Sequence, residues 1–375
     1  MRFQKVSLSF CAIKRLTATF SQLHAALERS TRISLMRNKY SKPTILSDFA
    51  VLGDLCRETS RYEHKLISND WRPWKLLWAA RDADLVVLDN SYPYLMSFCL
   101  LKMLMPIVRF HLISVDLNLY QPDTFKSRVI ASIKMALLKQ VDRFALLFKN
   151  ASGYERYYGI EPARSRYLPF KVNSWEDDLE EYSADPCVGS YVLCAGRTLR
   201  DHRTFLVAMR LCGLPGILLV PDDEGTGMVR ESSYDLPENV KLEIHSDGKK
   251  ETFLQWIKDS AIVVVPRFAN AISPNGISVY LTAMGALRCV VLTKGPGADD
   301  VLLTGEAILV DPEDPRELAN AVSAAWNDHD LRRSVALKGR EYAETMQGTR
   351  RYMTDLLRII DELLEERDTN LRPQA

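Results

Sequence analysis

No Cys-x-x-Cys pair occurs in this chain, and no grouping of His, Cys, Asp and Glu has metal-ligand spacing. Its seven cysteines (Cys11, Cys56, Cys99, Cys187, Cys194, Cys212 and Cys289) are scattered, odd in number and mostly set in apolar runs. That pattern argues against a disulfide framework and a zinc site, and it fits a reducing compartment. A Walker lysine motif is also missing. Charge of one sign is not in excess: 49 Lys and Arg stand against 48 Asp and Glu, a net charge of +1. No whole-chain field therefore draws in nucleic acid. Long apolar runs are missing too. The most apolar window, residues 95–115, contains Lys102, Pro106, Arg109 and His111, so it breaks into a helix and a strand instead of spanning a bilayer. The opening residues are interrupted by Lys14 and Arg15, and no secretory signal is expected. The expected location is the cytoplasm, with no metal and no cofactor.

What is present is the composition of a globular protein, 47% hydrophobic and 26% charged over 375 residues. That length exceeds one ordinary core and implies two domains. In the first half, strands are expected at 84–89, 107–115, 144–148 and 166–168, with helices at 95–105 and 126–140. Phe20–Arg29 reads as a helix and Thr44–Leu46 as the start of a strand. In the second half, strands are expected at 191–194, 216–220, 240–244, 261–265, 289–292 and 307–310, each separated by crossover length. Apolar strands alternating with helices imply α/β architecture, two Rossmann-like doubly wound domains facing across a cleft. The acidic, Pro-containing stretch 173–188 reads as a solvated linker. The organisation is then 1–172, linker 173–188, 189–345, and an amphipathic helix and tail over 346–375.

Open α/β sheets bind ligands at the carboxyl ends of their strands. One such loop reads Ser273-Pro274-Asn275-Gly276-Ile277-Ser278 and opens a helix. A Gly turn before a helix presents free amides and the positive end of the helix dipole, an anion site; the plainer reading is a βαβ turn. A second loop, Gly196-Arg197-Thr198-Leu199-Arg200-Asp201-His202-Arg203, places three Arg within seven positions before a helix. Guanidinium forks match phosphate oxygens; a solvated charged loop is the alternative. Asp201 is placed to cap that helix. Asp299 and Asp300 reach a cleft or serve a turn and a helix N-cap. On the first half, Asp89-Asn90-Ser91, Asp116 with Asn118, and Lys149-Asn150 end strands. Asp116 is the candidate general base toward a hydroxyl, against a role in turn formation.

The pieces from about 190 to 345 resemble the donor domain of GT-B glycosyltransferases, in particular the large retaining group of bacterial polysaccharide transferases. They are Gly196-Arg197, Arg200-Asp201, Val264-Val265-Pro266, Gly276, Ala283-Met284, Val290-Val291, Thr293, Gly305, Leu309-Val310, Asp314 and Leu318-Ala319. The resemblance implies a nucleotide-diphosphate sugar as donor and a saccharide or lipid-linked acceptor. It places Gly196, Arg197, Arg200, His202, Asn275, Gly276, Ile277, Ser278 and Thr282 around the donor. His202 stands where the family has a lysine. Pro274 and Thr282 stand where it has two glutamates with seven residues between them, the second of which holds the donor ribose. Two other readings of the resemblance remain: a non-catalytic scaffold or partner subunit, and a sugar-nucleotide epimerase. Phe98, Leu100, Leu101, Met103 and Leu104 near Lys102 and Arg109, with Lys126, Arg128 and Lys134 on a nearby helix, form a basic-apolar set. Burial of that set is the expectation, and peripheral contact with the inner face of a membrane the alternative.

Overall fold

The computed structural model describes residues 42–67, 79–105, 110–196, 200–221, 235–245 and 248–371. The helix read over Phe20–Arg29, the opening of the strand read at 107, and Arg197 lie outside the described residues. The chain forms two compact units, Met1–Ile113 and Ser114–Ala375.

The first sheet contains β1 (Thr44–Ser47), β2 (Glu63–Leu66), β3 (Leu85–Asp89), β4 (His111–Val115), β5 (Arg143–Leu146) and β6 (Ser165–Tyr167), in the order β2-β1-β3-β4-β5-β6. Helix α1 (Ala50–Thr59) follows β1, and α2 (Tyr92–Leu104) follows β3. Helix α3 (Phe125–Leu138) follows β4, and α4 (Ser152–Tyr158) follows β5. β1, β3 and β4 are mostly buried apolar runs, whereas the two edge strands are not: β2 exposes Glu63, Lys65 and Leu66, and β6 is the half-buried Ser165-Arg166-Tyr167. On α2, Phe98 and Leu101 are buried while Leu100, Met103 and Leu104 are exposed.

The second sheet is built from β7 (Val192–Ala195), β8 (Gly216–Pro221), β9 (Val240–His245), β10 (Ile262–Val265), β11 (Cys289–Thr293) and β12 (Ile308–Val310). Its order is β12-β11-β10-β7-β8-β9, parallel throughout. From β7 the chain moves outward through β8 and β9, then returns to the other side of β7 and moves out through β10 to β12. The strand order therefore reverses between β7 and β10, and there the crevice of a doubly wound sheet opens. Helices α5 (His202–Cys212), α6 (Lys250–Asp259) and α7 (Ile277–Gly285) connect strands, and α8 (Pro315–Asn327) follows β12. Phe205 and Met209 of α5 and Leu318 and Val322 of α8 close a core over Val264 and Val291. Helices α9 (His329–Met346) and α10 (Thr349–Leu371) complete the chain.

The stretch 173–188 is only partly the solvated linker expected. Glu176, Asp177 and Asp178 are exposed, but Trp175 and Leu179 are buried. Arg340 of α9 lies 4.7 Å over the Trp175 ring and donates to the carbonyls of Leu179 at 2.7 Å, Glu180 at 2.7 Å and Gly285 at 2.6 Å. Arg332 donates to Cys187 O at 3.0 Å, and Arg288 donates to Val188 O. Three acidic side chains of the stretch face water while its backbone carbonyls accept from three buried arginines, a pairing that composition does not reveal.

Candidate functional site

The loops that leave β7 and β10 carry the site. After β7, Gly196 takes φ 121°, and after β10, Gly276 takes φ 81° as the N-cap of α7. The Arg200 guanidinium occupies the space between them. A Cβ on Gly196 would lie 2.8 Å from Arg200 Nε, and one on Gly276 would lie 2.7 Å from Arg200 Nη2 and 2.5 Å from Val265 Cγ1. Both glycines are needed twice over, for their left-handed backbone and for the room they leave the arginine. Arg200 Nε donates to Ala195 O at 3.3 Å, and the backbone of residue 200 bridges to that of Arg267 just beyond β10. Burial pushes the Arg200 pKa down from 12.5 to about 10, so the group stays charged at neutral pH.

Arg267 was not singled out from the sequence, because Pro266-Arg267-Phe268-Ala269-Asn270 reads as a polar loop. It is 1% exposed. It donates from Nη1 to Pro296 O at 2.7 Å and from Nη2 to Thr293 O. Burial lowers its pKa to about 10, and the nearby Arg200 charge acts in the same direction. Its signal in the sequence is no more than a cation two residues past a fully apolar strand; the strand order adds that this is where the topology reverses.

Helix α7 is buried almost throughout, from Ile277 to Gly285, and no side chain caps its N-terminus. Its first amides, those of Ile277 and Ser278, have no intrahelical acceptor and carry the positive end of the dipole. Asn275 is buried, with its Nδ2 donating to Ser273 O at 3.2 Å. Pro274 is buried against Gly297. Thr282 is 3% exposed, and its hydroxyl donates to Ser278 O at 2.7 Å. The buried Arg200 guanidinium and the α7 N-terminus thus meet at the carboxyl ends of β7 and β10, while the Arg267 guanidinium turns to the loop after β11, beside Gly295; the first pair is an arrangement that favours an anion.

Asp201 caps α5 as expected: its Oδ1 accepts from Thr204 N at 3.0 Å and its Oδ2 from the Thr204 hydroxyl at 2.6 Å. Burial first, then the Arg200 charge, drives the His202 pKa down to about 4. His202 is therefore a neutral imidazole at pH 7 and does not supply the charge of the lysine it replaces.

The structure brings the Asp116 loop to the same region. Asp116 follows β4 with φ 47° and donates its N–H to Ala145 O at 3.1 Å. Ser273, three residues before Gly276, accepts from Leu119 N at 2.8 Å, donates back to Leu119 O, and lies 2.8 Å from the Tyr154 hydroxyl. Tyr154 in turn donates to Leu117 O. Asp300 joins the Lys149-Asn150 candidates, accepting from both amides at 2.8 Å and from Gly297 N at 2.7 Å. No helix begins at Asp299 or Asp300; the pair serves a turn and this tie, which corrects the N-cap reading. Within Met1–Ile113, the Asp89–Ser91 candidates prove to be held by a residue the sequence did not mark. Asp48, at the end of β1, accepts from Asp89 N at 2.9 Å and from the Ser91 hydroxyl, and burial raises its pKa. Among the described residues, no group of three or more His, Cys, Asp and Glu side chains is placed to hold a metal ion.

No protein-family model matches the chain, and no curated protein matches its sequence. Solved structures do match. HepE from Anabaena, in complex with UDP and glucose, is 14% identical and aligns over 86% of this chain and 100% of its own, with a TM-score of 0.63. Sucrose-phosphate synthase from Thermosynechococcus elongatus is 15% identical over 87% of this chain and 100% of its own, with a TM-score of 0.63. An α,α-trehalose-phosphate synthase (UDP-forming) from Burkholderia vietnamiensis is 11% identical over 87% and 99%, with a TM-score of 0.57. The chain has the GT-B fold. That agrees with the resemblance carried by Gly196, Arg200, Gly276 and the strands around them. Among the described residues, no helix is long and apolar enough to cross a membrane.

Proposed function

We propose that this GT-B protein is a glycosyltransferase that moves a sugar from a nucleotide-diphosphate donor to a hydroxyl of a saccharide or lipid-linked acceptor. The observation that carries the reading is the packing of the buried Arg200 guanidinium against Gly276 at the uncapped α7 N-terminus. In the transfer, the bond between the anomeric carbon and the donor diphosphate breaks, and the acceptor oxygen forms a new bond to that carbon. The leaving diphosphate gains negative charge as the bond breaks. Pre-set donors and buried cations there stabilise the transition state more than the ground state. Arg200, the Gly276–Ser278 backbone and, from the same loop as Arg200, Arg197 take that role, and Asn275 holds the loop. Asp116 accepts the proton of the acceptor hydroxyl or orients it. Residues 1–172 serve the acceptor and 189–345 the donor, with 173–188 between them and 346–375 as the tail.

HepE was crystallised with UDP-glucose, which makes UDP-glucose the first donor to test. Calorimetric titration of the full chain with UDP-, GDP- and dTDP-sugars tests the donor site: one of them binds and raises Tm. Asp116→Asn then lowers kcat by about 10²-fold or more with donor affinity unchanged; unchanged kcat removes Asp116 from the chemistry. One observation favours a second reading, a non-catalytic partner subunit. Pro274 has no group for a donor sugar, and the Thr282 hydroxyl proton is engaged by Ser278 O at 2.7 Å. Binding of a donor without turnover on any acceptor would support that second reading.

A further inference from the structure

Helix α3 presents its apolar residues to solvent. Its buried residues are Ala131 and Leu138. On the opposite side Phe125 is 84% exposed, Ile133 59%, Val129 46% and Ile130 42%. At 100° per residue, positions 125, 129 and 133 stack into one outward stripe directly opposite the buried pair. Ordinary surface helices place that stripe on the core. Residues 124–140 also carry Lys126, Arg128, Lys134 and Lys139 and no carboxylate. The same spacing sets Lys126 on one flank of the stripe and Arg128 and Lys139 on the other, while Lys134 lies toward the buried side and is half-buried. The helix start is fixed by a reciprocal cap. Ser127 N donates to Thr124 Oγ1 at 3.1 Å, and Thr124 N donates to Ser127 Oγ at 2.9 Å. A groove of about 430 Å³ opens beside the stripe, lined by Gln121, Asp123, Arg128, Ser132, Arg156 and Tyr157.

We propose that α3 is a docking face for an anionic phospholipid bilayer. The Phe125–Val129–Ile133 ridge enters the boundary between headgroups and acyl chains, and the flanking cations meet lipid phosphates. An apolar ridge between two basic flanks is the arrangement that interfacial helices use, with apolar area and charge attraction acting together. A second copy of this chain fits less well, because pairing two such faces brings their like charges together. The proposal goes beyond the donor-site reading and stands whether or not that reading holds.

The test uses the full chain and sedimentation with vesicles of phosphatidylcholine alone or mixed with phosphatidylglycerol. The protein pellets with the mixed vesicles, and added NaCl releases it. Phe125→Ser with Ile133→Ser weakens partition by about tenfold or more. Lys126→Glu with Arg128→Glu weakens it by at least twentyfold, from about fivefold per basic residue near the surface. Because these side chains are exposed, Tm and nucleotide-sugar binding stay as in the parent chain, which separates loss of docking from loss of fold or donor site. Equal pelleting with both vesicle types, or partition indifferent to both double variants, overturns the proposal. So does a parent chain whose dimerisation in sedimentation velocity depends on Phe125 and Ile133 while vesicle binding does not.

Discussion

Replacing Arg200 with Met separates a functional arginine from a structural one. The folded protein holds the Arg200 guanidinium 8% exposed, between two glycines, where burial depresses its pKa from 12.5 to about 10. At about 1.4 kcal/mol per pH unit, that corresponds to roughly 3 kcal/mol of desolvation cost in the native state at pH 7. Arg200→Met keeps an unbranched chain in the same channel and removes the charge. The loss of the bond from Nε to Ala195 O offsets about 1 kcal/mol of the gain. The net expectation is a variant as stable as the parent or more stable by about 1–2 kcal/mol, which for a domain of this size raises Tm by a few degrees. Nucleotide-diphosphate binding falls at the same time by about tenfold to a hundredfold, the loss of one charge-assisted bidentate contact. Differential scanning fluorimetry and calorimetry read the two quantities separately. A variant whose Tm drops by several degrees while donor affinity is unchanged would refute the reasoning, because Arg200 would then be a tie between loops and not a ligand.

Gly276→Ala is expected to destabilise the protein by well over the roughly 1–2 kcal/mol cost of a left-handed backbone, because its Cβ meets Val265 Cγ1 at 2.5 Å. Denaturant midpoints check this, and donor binding is lost with it. Ser273→Ala takes away the hydroxyl that donates to buried Leu119 O and leaves Leu119 N–H with only its longer, 3.3 Å bond to the Tyr154 hydroxyl. It costs about 1–3 kcal/mol, read as a lower denaturant midpoint. His202 has a folded pKa of about 4, below its ordinary 6.5, so the unfolded chain binds more protons between those values. Its contribution to stability is complete above pH 6.5 and is lost as pH falls toward 4. His202→Gln therefore flattens the stability curve between pH 6.5 and 4, and a slope in that window identical to the parent's would contradict the assignment.

The second sheet was legible because its inner strands β7, β10 and β11 are buried on both faces, so residues 192–195, 262–265 and 289–292 read as unbroken apolar runs. β2 was not legible, since an edge strand reading Glu63-His64-Lys65-Leu66 carries no buried pattern. Periodicity located α3 and its apolar spacing, but a period does not say which side of the helix meets the core. Gly196, Arg200 and Gly276 were readable from their places after apolar strands. Their mutual contact was not, nor was the tie from Ser273 to Leu119 across 154 residues. Arg267 and Asp48 escaped because a single charged residue at a strand end looks like any turn; only the strand order shows that each stands where its sheet's topology reverses.

Calorimetric titration of the full-length protein with UDP-glucose, and in parallel with UDP, addresses the central claim most directly. If Arg200 and the α7 N-terminus form a diphosphate site, both ligands bind with micromolar to millimolar affinity, and Arg200→Met weakens both without lowering Tm. If neither these nor GDP- and dTDP-sugars bind at millimolar concentration, the convergence of positive groups at Gly276 is not a donor site.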